Sequence, residues 1–247
     1  MHKPQVIAIV QVRLGATRLP GKPLKTVLNR PLLSYQLERL ARSKTIDKIV
    51  VATTTNPSDQ AVVDLCRQEG MAVFRGSEQD VLERYYQAAK HYAAEVVIRV
   101  TGDCPLIDPE IVDKVVGYFL EHYPHVDYVS NTLKLTYPRG LDVEVFSFKN
   151  LERAYHEAKR PEEREHVSPY FYEHPELFAL ANVAHSPNEA QHRWTVDTPE
   201  DLQLISKVIE TLYVPNPHFN MQDVLNLLQQ HPQWKAINAH IVQKPLR

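Results

Sequence analysis

Gln11-Val-Arg-Leu-Gly-Ala-Thr-Arg-Leu-Pro-Gly-Lys22 follows directly on the apolar run Val6-Ile-Ala-Ile-Val10 and precedes a helical segment, Pro31 to Ser43. The apolar run reads as a buried first strand. The stretch after it is therefore a strand-to-helix loop. It carries Arg13, Arg18 and Lys22, with Gly15 and Gly21 as points of backbone freedom. Three fixed cations and close backbone approach suit a triphosphate better than a neutral ligand. The spacing is not the Walker pattern, because no Gly-Lys-Ser/Thr follows four spacer residues. Nor is it the dinucleotide Gly-x-Gly-x-x-Gly. Taken alone, such a loop is equally a solvated basic surface.

Glycine is scarce elsewhere, with seven in the chain. Five of them, Gly15, Gly21, Gly76, Gly102 and Gly140, fall in loops that also carry charge. That concentration predicts several loops converging on a ligand, although turn chemistry alone accounts for two or three of the five.

Strand and helix alternate through the first half. Asp47 to Thr53 reads as the second strand. Asn56-Pro57 supplies a cap and first-turn proline, and Gly70 a stop. Met71 to Phe74 is a short third strand. Ser77 is expected to cap a helix running to Tyr92. Glu95 to Val100 is a fourth strand, and Asp108-Pro109 opens the next helix. Such alternation requires parallel strands joined by right-handed crossovers. The expected fold is α/β, with a doubly wound, mostly parallel sheet.

After Asn131 the pattern changes. Leu133 to Tyr137 and Leu141 to Phe148 read as strands around Pro138-Arg-Gly140, followed by a charged helical stretch through Glu165. Phe178 to Val183 and His192 to Val196 also read as strands. Residues 132–192 are expected to form a small mixed lobe on a single domain spanning 1–247. Thr198-Pro-Glu-Asp201 is a helix start, and two terminal helices follow, through Tyr213 and from Met221 to Gln230.

At 247 residues, 43% apolar, 23% charged and net charge −2, the chain has an ordinary globular composition. It gives no electrostatic case for nucleic acid or a membrane surface. No apolar run approaches the roughly 20 residues that span a bilayer, and the signature of a signal peptide is lacking. Cys66 and Cys104 lie far apart, in a pattern of neither zinc binding nor disulfide formation. The expectation is a cytoplasmic protein.

Two further motifs carry chemistry. Arg99-Val-Thr-Gly-Asp103-Cys-Pro-Leu-Ile-Asp108-Pro lies at the carboxyl end of the fourth strand, where open α/β sheets bind ligands. Asp103, beside Gly102, is placed to hold Mg²⁺ against phosphate oxygens, whereas Asp108 reads as a helix cap. In Trp194-Thr-Val-Asp197-Thr-Pro-Glu-Asp-Leu, Asp197 is the candidate for a second metal carboxylate.

Together these motifs resemble the cytidylyltransferases that activate acidic sugars, the CMP-sialic acid and CMP-Kdo synthetases, and most of all the spore coat polysaccharide biosynthesis protein F branch. The resemblance is carried in order by Gln11 to Lys22, Val50-Val-Ala-Thr-Thr-Thr55, Phe74-Arg-Gly-Ser-Glu-Gln-Asp-Val-Leu-Glu-Arg84, Arg99 to Pro109, Tyr137-Pro-Arg-Gly-Leu-Asp-Val-Glu-Val145, Glu165-His-Val167 and Arg193 to Leu202. It implies a glycosyltransferase-A-like, Rossmann-related fold. It also implies transfer of CMP from CTP to an acidic, nonulosonic-type sugar with release of pyrophosphate, for polysaccharide biosynthesis.

By that resemblance Arg13, Arg18 and Lys22 contact the triphosphate, and Asp103 and Asp197 hold Mg²⁺. Arg75, Gly76 and Thr54 lie near the base and ribose, and Gln11, Val12, Leu14, Gly15, Thr101 and Gly102 line the nucleotide. Arg139, Asp142, Glu144, His166 and Arg193 fall on the sugar side, with Arg139 as the carboxylate contact and His166, Asp142 and Glu144 as candidate bases. A homodimer contact through the small lobe is a further implication. Ala16 stands where related sequences often have serine. Thr101 stands where the Kdo branch tends to have glutamine, which points to the spore-coat-type branch. Two other readings stay open: a sugar-1-phosphate nucleotidyltransferase or glycosyltransferase of the same fold, and a non-catalytic nucleotide-binding module.

Overall fold

The computed structural model describes residues 3–243. In chain order the elements are β1 (Val6–Gln11), the hairpin β2 (Thr26–Val27) and β3 (Arg30–Pro31), α1 (Leu32–Leu40), β4 (Lys48–Thr54), α2 (Gln60–Gln68), β5 (Ala72–Gly76), α3 (Val81–His91), β6 (Val96–Thr101) and α4 (Pro109–His122). Then come β7 (Tyr128–Ser130), β8 (Glu144–Ser147), α5 (Phe148–Glu157), α6 (Pro161–His166), α7 (Pro169–Tyr172), β9 (Leu180–Asn182), α8 (Pro199–Leu212), α9 (Met221–Gln230) and α10 (Pro232–Lys235).

Seven strands form one sheet in the order β5-β4-β1-β6-β8-β7-β9. The β5-β4-β1-β6 part is parallel, as the alternation with helices requires. Strand β8 pairs antiparallel with both β6 and β7. On β1 the side chains of Val6, Ala8 and Val10 enter one core layer, and those of Ile7 and Ile9 the other. The first layer is built with Leu33 and Leu37 of α1, Val112 and Val115 of α4 and Val208 of α8. The second is built with Leu82 and Tyr85 of α3, Leu151 of α5 and Phe171 of α7.

The chain runs outward from β1 to β4 and β5, then returns to place β6 on the other side of β1. That reversal puts the topological switch point between β1 and β6, where crevices open beyond strand carboxyl ends. Gln11 pairs with Thr101 at those ends.

Several local expectations are corrected. Asp80, not Ser77, caps α3, accepting from Glu83 N–H at 2.8 Å, while the Ser77 hydroxyl accepts from Asp80 N–H. Leu133 to Tyr137 is a run of turns rather than a strand. Its apolar alternation comes from Leu133 and Leu135, which are exposed instead of packed. His192 to Val196 contributes one isolated bridge, Arg139 with Arg193, rather than a strand. Tyr128–Ser130 is a strand that sequence reading missed, three residues being too short a pattern to register. The charged helical stretch is two helices, because Pro161 cannot continue α5 and instead opens α6. Strands β7, β8 and β9 extend the main sheet.

Gly102 closes the switch point. A Cβ there would lie 2.6 Å from Val12 Cγ2 and 2.9 Å from the Gln11 carbonyl. Gly102→Ala is therefore expected to lower stability by roughly 1–3 kcal/mol through overpacking. The readout is a lower urea midpoint at unchanged slope; an unaltered midpoint would show that the β1 loop yields freely.

Candidate active site

A cleft of about 860 Å³ opens beyond the ends of β1 and β6. The loop after β1 is held from below by main-chain bonds. Val12 N–H donates to Ala52 O at 3.1 Å, and Gly21 N–H returns to Leu14 O at 3.0 Å. Leu14 N–H donates to the buried carboxylate of Asp59 at 2.9 Å. Asp59 also takes the hydroxyls of Thr53 and Thr54, so the loop is tied to the tip of β4. Gly21 takes the left-handed conformation at φ 68° and lets the chain turn into Lys22.

Lys22 Nζ lies 2.8 Å from Asp103 Oδ2 and 2.6 Å from Asp197 Oδ1. Arg18 reaches the other Asp197 oxygen at 3.1 Å. The Thr101 hydroxyl donates to Asp103 at 2.6 Å. Burial opposes the charge on Asp103, but the Lys22 ammonium and these hydrogen bonds outweigh it and hold the carboxyl at about 2. Burial likewise disfavours the Lys22 ammonium, and the two carboxylates outweigh it, so its pKa is raised. Asp103 and Lys22 are both ionised at neutral pH.

Asp197 is positioned from behind by a fully buried carboxylate. Asp201 accepts from Arg193 Nε at 2.9 Å and Nη2 at 3.0 Å, from Asp197 N–H at 3.0 Å, from Thr198 N–H at 3.2 Å and from Asn238 at 2.8 Å. Arg193 also donates to Asp197 at 2.9 Å. Asp103 and the Asp197 segment are joined directly, Val196 N–H donating to Asp103 O at 2.8 Å.

The far wall is different in chemistry. Arg99 Nη1 pairs with Glu144 at 2.9 Å, and the Ser168 hydroxyl donates to the same carboxylate. Burial raises Asp142 to about 6; Arg139 opposes that, while Glu144 and Asp103 add to it. Burial lowers His166, helped by the charges of Arg99 and Arg13 and opposed by Glu165.

Two carboxylates from different loops meeting on one cation are the donor set of a divalent-ion site completed by phosphate oxygens and water. Among the described residues no cluster of three or more His, Cys, Asp or Glu forms a metal cage. The residues present thus fit a cation shared with a ligand, with Asp103 and Asp197 as its holders.

Of the residues singled out in the sequence, Gln11, Val12, Arg13, Arg18, Lys22, Thr101, Gly102, Asp103, Arg139, Asp142, Glu144, His166 and Asp197 line this cleft. Leu14, Gly15, Thr54, Arg75, Gly76 and Arg193 do not. Arg75 is tied to Thr54 O, Asn56 O and Gln60 Oε1, each at 2.9 Å, which turns it away from the cleft. Arg193 is committed to Asp197 and Asp201 as a positioning residue. Of the five loop glycines, only Gly102 reaches the cleft.

Arg84 and Arg99 were missed, although a signal existed. Val81, Arg84, Tyr85 and Ala88 fall on one helical stripe, so Arg84 is a charge inside an apolar face. Arg99 interrupts the apolar strand Val96-Val-Ile-Arg-Val100. Asp201 has no such signal, since first-turn acids cap most helices.

A switch-point cleft with a basic strand-one loop and two facing carboxylates defines the nucleotidyltransferase class. The chain belongs to the cytidylyltransferase family, whose model matches residues 7–229. It is 31% identical over 235 residues to the spore coat polysaccharide biosynthesis protein SpsF of Bacillus subtilis, covering 92% of this chain and 95% of SpsF. It is 36% identical over 114 residues to the 3-deoxy-manno-octulosonate cytidylyltransferase of an Anaeromyxobacter species, covering 45% of this chain and 46% of that one. A solved cytidylyltransferase from Leptospira borgpetersenii superposes with a TM-score of 0.90 at 32% identity, covering 98% of this chain and all of that one. The family resemblance read from the motifs therefore holds.

Asp142 gives this site a pH signature. Its native value near 6 exceeds the ordinary 3.8, so between the two the native state binds more protons than the unfolded chain, and stability falls as pH rises. Asp142→Asn removes that loss. The variant is expected to unfold at higher urea than wild type at pH 8, with the advantage shrinking through pH 6 and gone near pH 4. A pH-independent difference would contradict the burial effect.

Proposed function

We propose that this protein transfers CMP from CTP to an acidic, nonulosonic-type sugar, releasing pyrophosphate, as a step in polysaccharide biosynthesis. The observation that carries the reading is the Lys22 ammonium held between Asp103 and Asp197 at the mouth of a basic strand-one loop. A nucleoside triphosphate brings roughly four negative charges, and nucleotidyl transfer needs those charges neutralised and the reactants aligned more than it needs covalent help.

Arg13, Arg18 and Lys22 bind the phosphates in this reading, and Lys22 meets the charge that grows on departing pyrophosphate. Asp103 and Asp197 hold Mg²⁺. When bound, the ion supplies Lewis-acid polarisation of the phosphate oxygens. The sugar hydroxyl attacks the α-phosphorus, the α–β bridging P–O bond breaks, and the hydroxyl proton passes to a base. Glu144 is committed to Arg99 and Ser168, whereas Asp142 lines the cleft with a value near 6. Asp142 is the favoured base, because a base works best when its pKa lies near working pH.

Residues 132–192 form the sugar side of the single domain, and a homodimer contact there belongs to the same reading. So does a cytoplasmic location: among the described residues no helix is long and apolar enough to cross a membrane. Arg139 lines the cleft and lies close enough to Asp142 to lower its pKa. It forms no ion pair among the described residues, which leaves its fork free for a carboxylate.

Pyrophosphate release, measured with each nucleoside triphosphate against acidic sugars and neutral sugar 1-phosphates, tests the reading. CTP with Mg²⁺ and an acidic sugar is expected to support turnover, and Asp103→Asn to reduce it by about a hundredfold or more. Turnover of neutral sugar 1-phosphates alone would move the protein to the sugar-1-phosphate nucleotidyltransferases. Near-normal rates in Asp103→Asn would remove the metal role.

Arg139→Ala separates the two substrates. The Michaelis constant for the acidic sugar is expected to rise about tenfold, the scale of a lost charge-assisted contact, with that for CTP little changed. The reverse pattern would place Arg139 on the nucleotide.

A further inference from the structure

Beyond α9 the chain turns back along α8. Trp234 of α10 lies under Lys207 of α8, whose ammonium stands 5.2 Å from the ring centroid. Trp234 and Ile237 pack against the first core layer. Asn238 then reaches Asp201 in the first turn of α8, and Gln243 reaches Arg193 ahead of that helix. The segment thus runs from the body of α8 to its N-terminal end and arrives at the cleft, which Gln243 lines. Residues 236–243 fall outside the stretch that the family model matches.

Both contacts converge on one residue. Asn238, 3% exposed, donates from Nδ2 to the Arg193 carbonyl at 2.9 Å and to Asp201 Oδ1 at 2.8 Å. Gln243 Oε1 accepts from Arg193 Nη1 at 2.6 Å. A guanidinium only donates, so this bond also fixes which end of the Gln243 amide is its oxygen. Arg193 Nε and Nη2 are held by Asp201, and Nη2 also donates to Asp197 Oδ2. All three nitrogens of Arg193 therefore have partners, and its carbonyl is held as well. A planar fork held in this way loses little further freedom when it fixes a neighbour. The neighbour is Asp197, whose other oxygen, Oδ1, meets Lys22.

We infer that Asn238 and Gln243 are positioning residues of the active site: they clasp Arg193 by its main chain and its guanidinium, and through it hold the Asp197 carboxylate with Oδ1 turned to Lys22. Neither acts by touching the nucleotide. The inference rests on the CTP and Mg²⁺ reading proposed above. In that reading a carboxylate already held in one orientation takes a phosphate-bound cation without first having to be ordered. Loss of the clasp therefore weakens the metal-dependent part of CTP binding and spares the rest.

Calorimetric titration of CTP, with Mg²⁺ and with EDTA, tests it in wild type, Gln243→Leu, Asn238→Ala, Asp197→Asn and the double variant Gln243→Leu with Asp197→Asn. Urea midpoints check folding. Gln243 is exposed, so Gln243→Leu keeps the bulk and removes the acceptor without opening the core. It is expected to weaken CTP about fivefold with Mg²⁺, the scale of one net hydrogen bond. The urea midpoint and CTP binding in EDTA should not change. Asn238→Ala is expected to act in the same direction at some cost in stability; if it misfolds, Gln243→Leu decides. In the Asp197→Asn background Gln243→Leu is expected to add nothing, because residues that act through one group are not additive. Unaltered CTP affinity with Mg²⁺ in Gln243→Leu overturns the inference. So does a further loss in the double variant, which would put Gln243 on the nucleotide directly. A raised Michaelis constant for the acceptor with CTP affinity intact overturns it too, by assigning Gln243 to the sugar. Failure of the CTP reading is separate and visible in wild type alone, as CTP binding that is unaffected by EDTA or no tighter than that of UTP.

Discussion

Two half-buried carboxylates crowded together repel unless a cation joins them, and the site is organised around that constraint. Asp103 stands at the tip of β6 and Asp197 before α8. Without Lys22 the two like charges would repel, and Asp103 would lose the cation that outweighs its burial. The ammonium comes from a third place, the turn that ends the loop after β1. Three segments distant in sequence are thereby fastened at one point. In the proposed function this is also the point at which a divalent ion carrying a triphosphate is held.

The supports behind this cluster matter as much as its members. Asp201 and Asp59 are both buried anions that collect main-chain N–H groups, and each fixes one side of the cluster. Asp201 sets the segment of Asp197, and Asp59 sets the loop that delivers Lys22. Neither touches the cleft. Removing one carboxylate from such a hub strands several donors at once, a larger loss than any single bond in it.

Much of this was legible in the chain. The run Val6 to Val10, the arginine–lysine loop, Asp103 at the end of β6 and Asp197 before the helix start Thr198-Pro199 follow from local patterning, because each lies where a short sequence rule meets a fixed place in an α/β fold. The rest depended on contacts between distant residues. Leu133 and Leu135 alternate like a strand but have no partner strand to pack on. Arg75 carries the right motif but finds acceptors at Thr54, Asn56 and Gln60, which hold it away. Asp201 looks like any acid in a first helical turn, and only Arg193 and Asn238, brought in by the fold, make it a hub.

Gly140, at φ 102°, lies with its Cα so near Trp194 that a Cβ would come within 2.6 Å of the Trp194 carbonyl carbon. The backbones on either side are stitched together there: Arg139 N–H donates to His192 O at 3.0 Å, and Trp194 N–H donates to Arg139 O at 2.7 Å. Arg139 and Asp197 thus ride on one welded piece of main chain. A change in what Arg139 meets cannot come from sliding this strap, because the slide would carry Asp197 with it. Variation in what the cleft accepts falls instead to side chains on the neighbouring turns, where the exposed Leu133 and Leu135 line the opening.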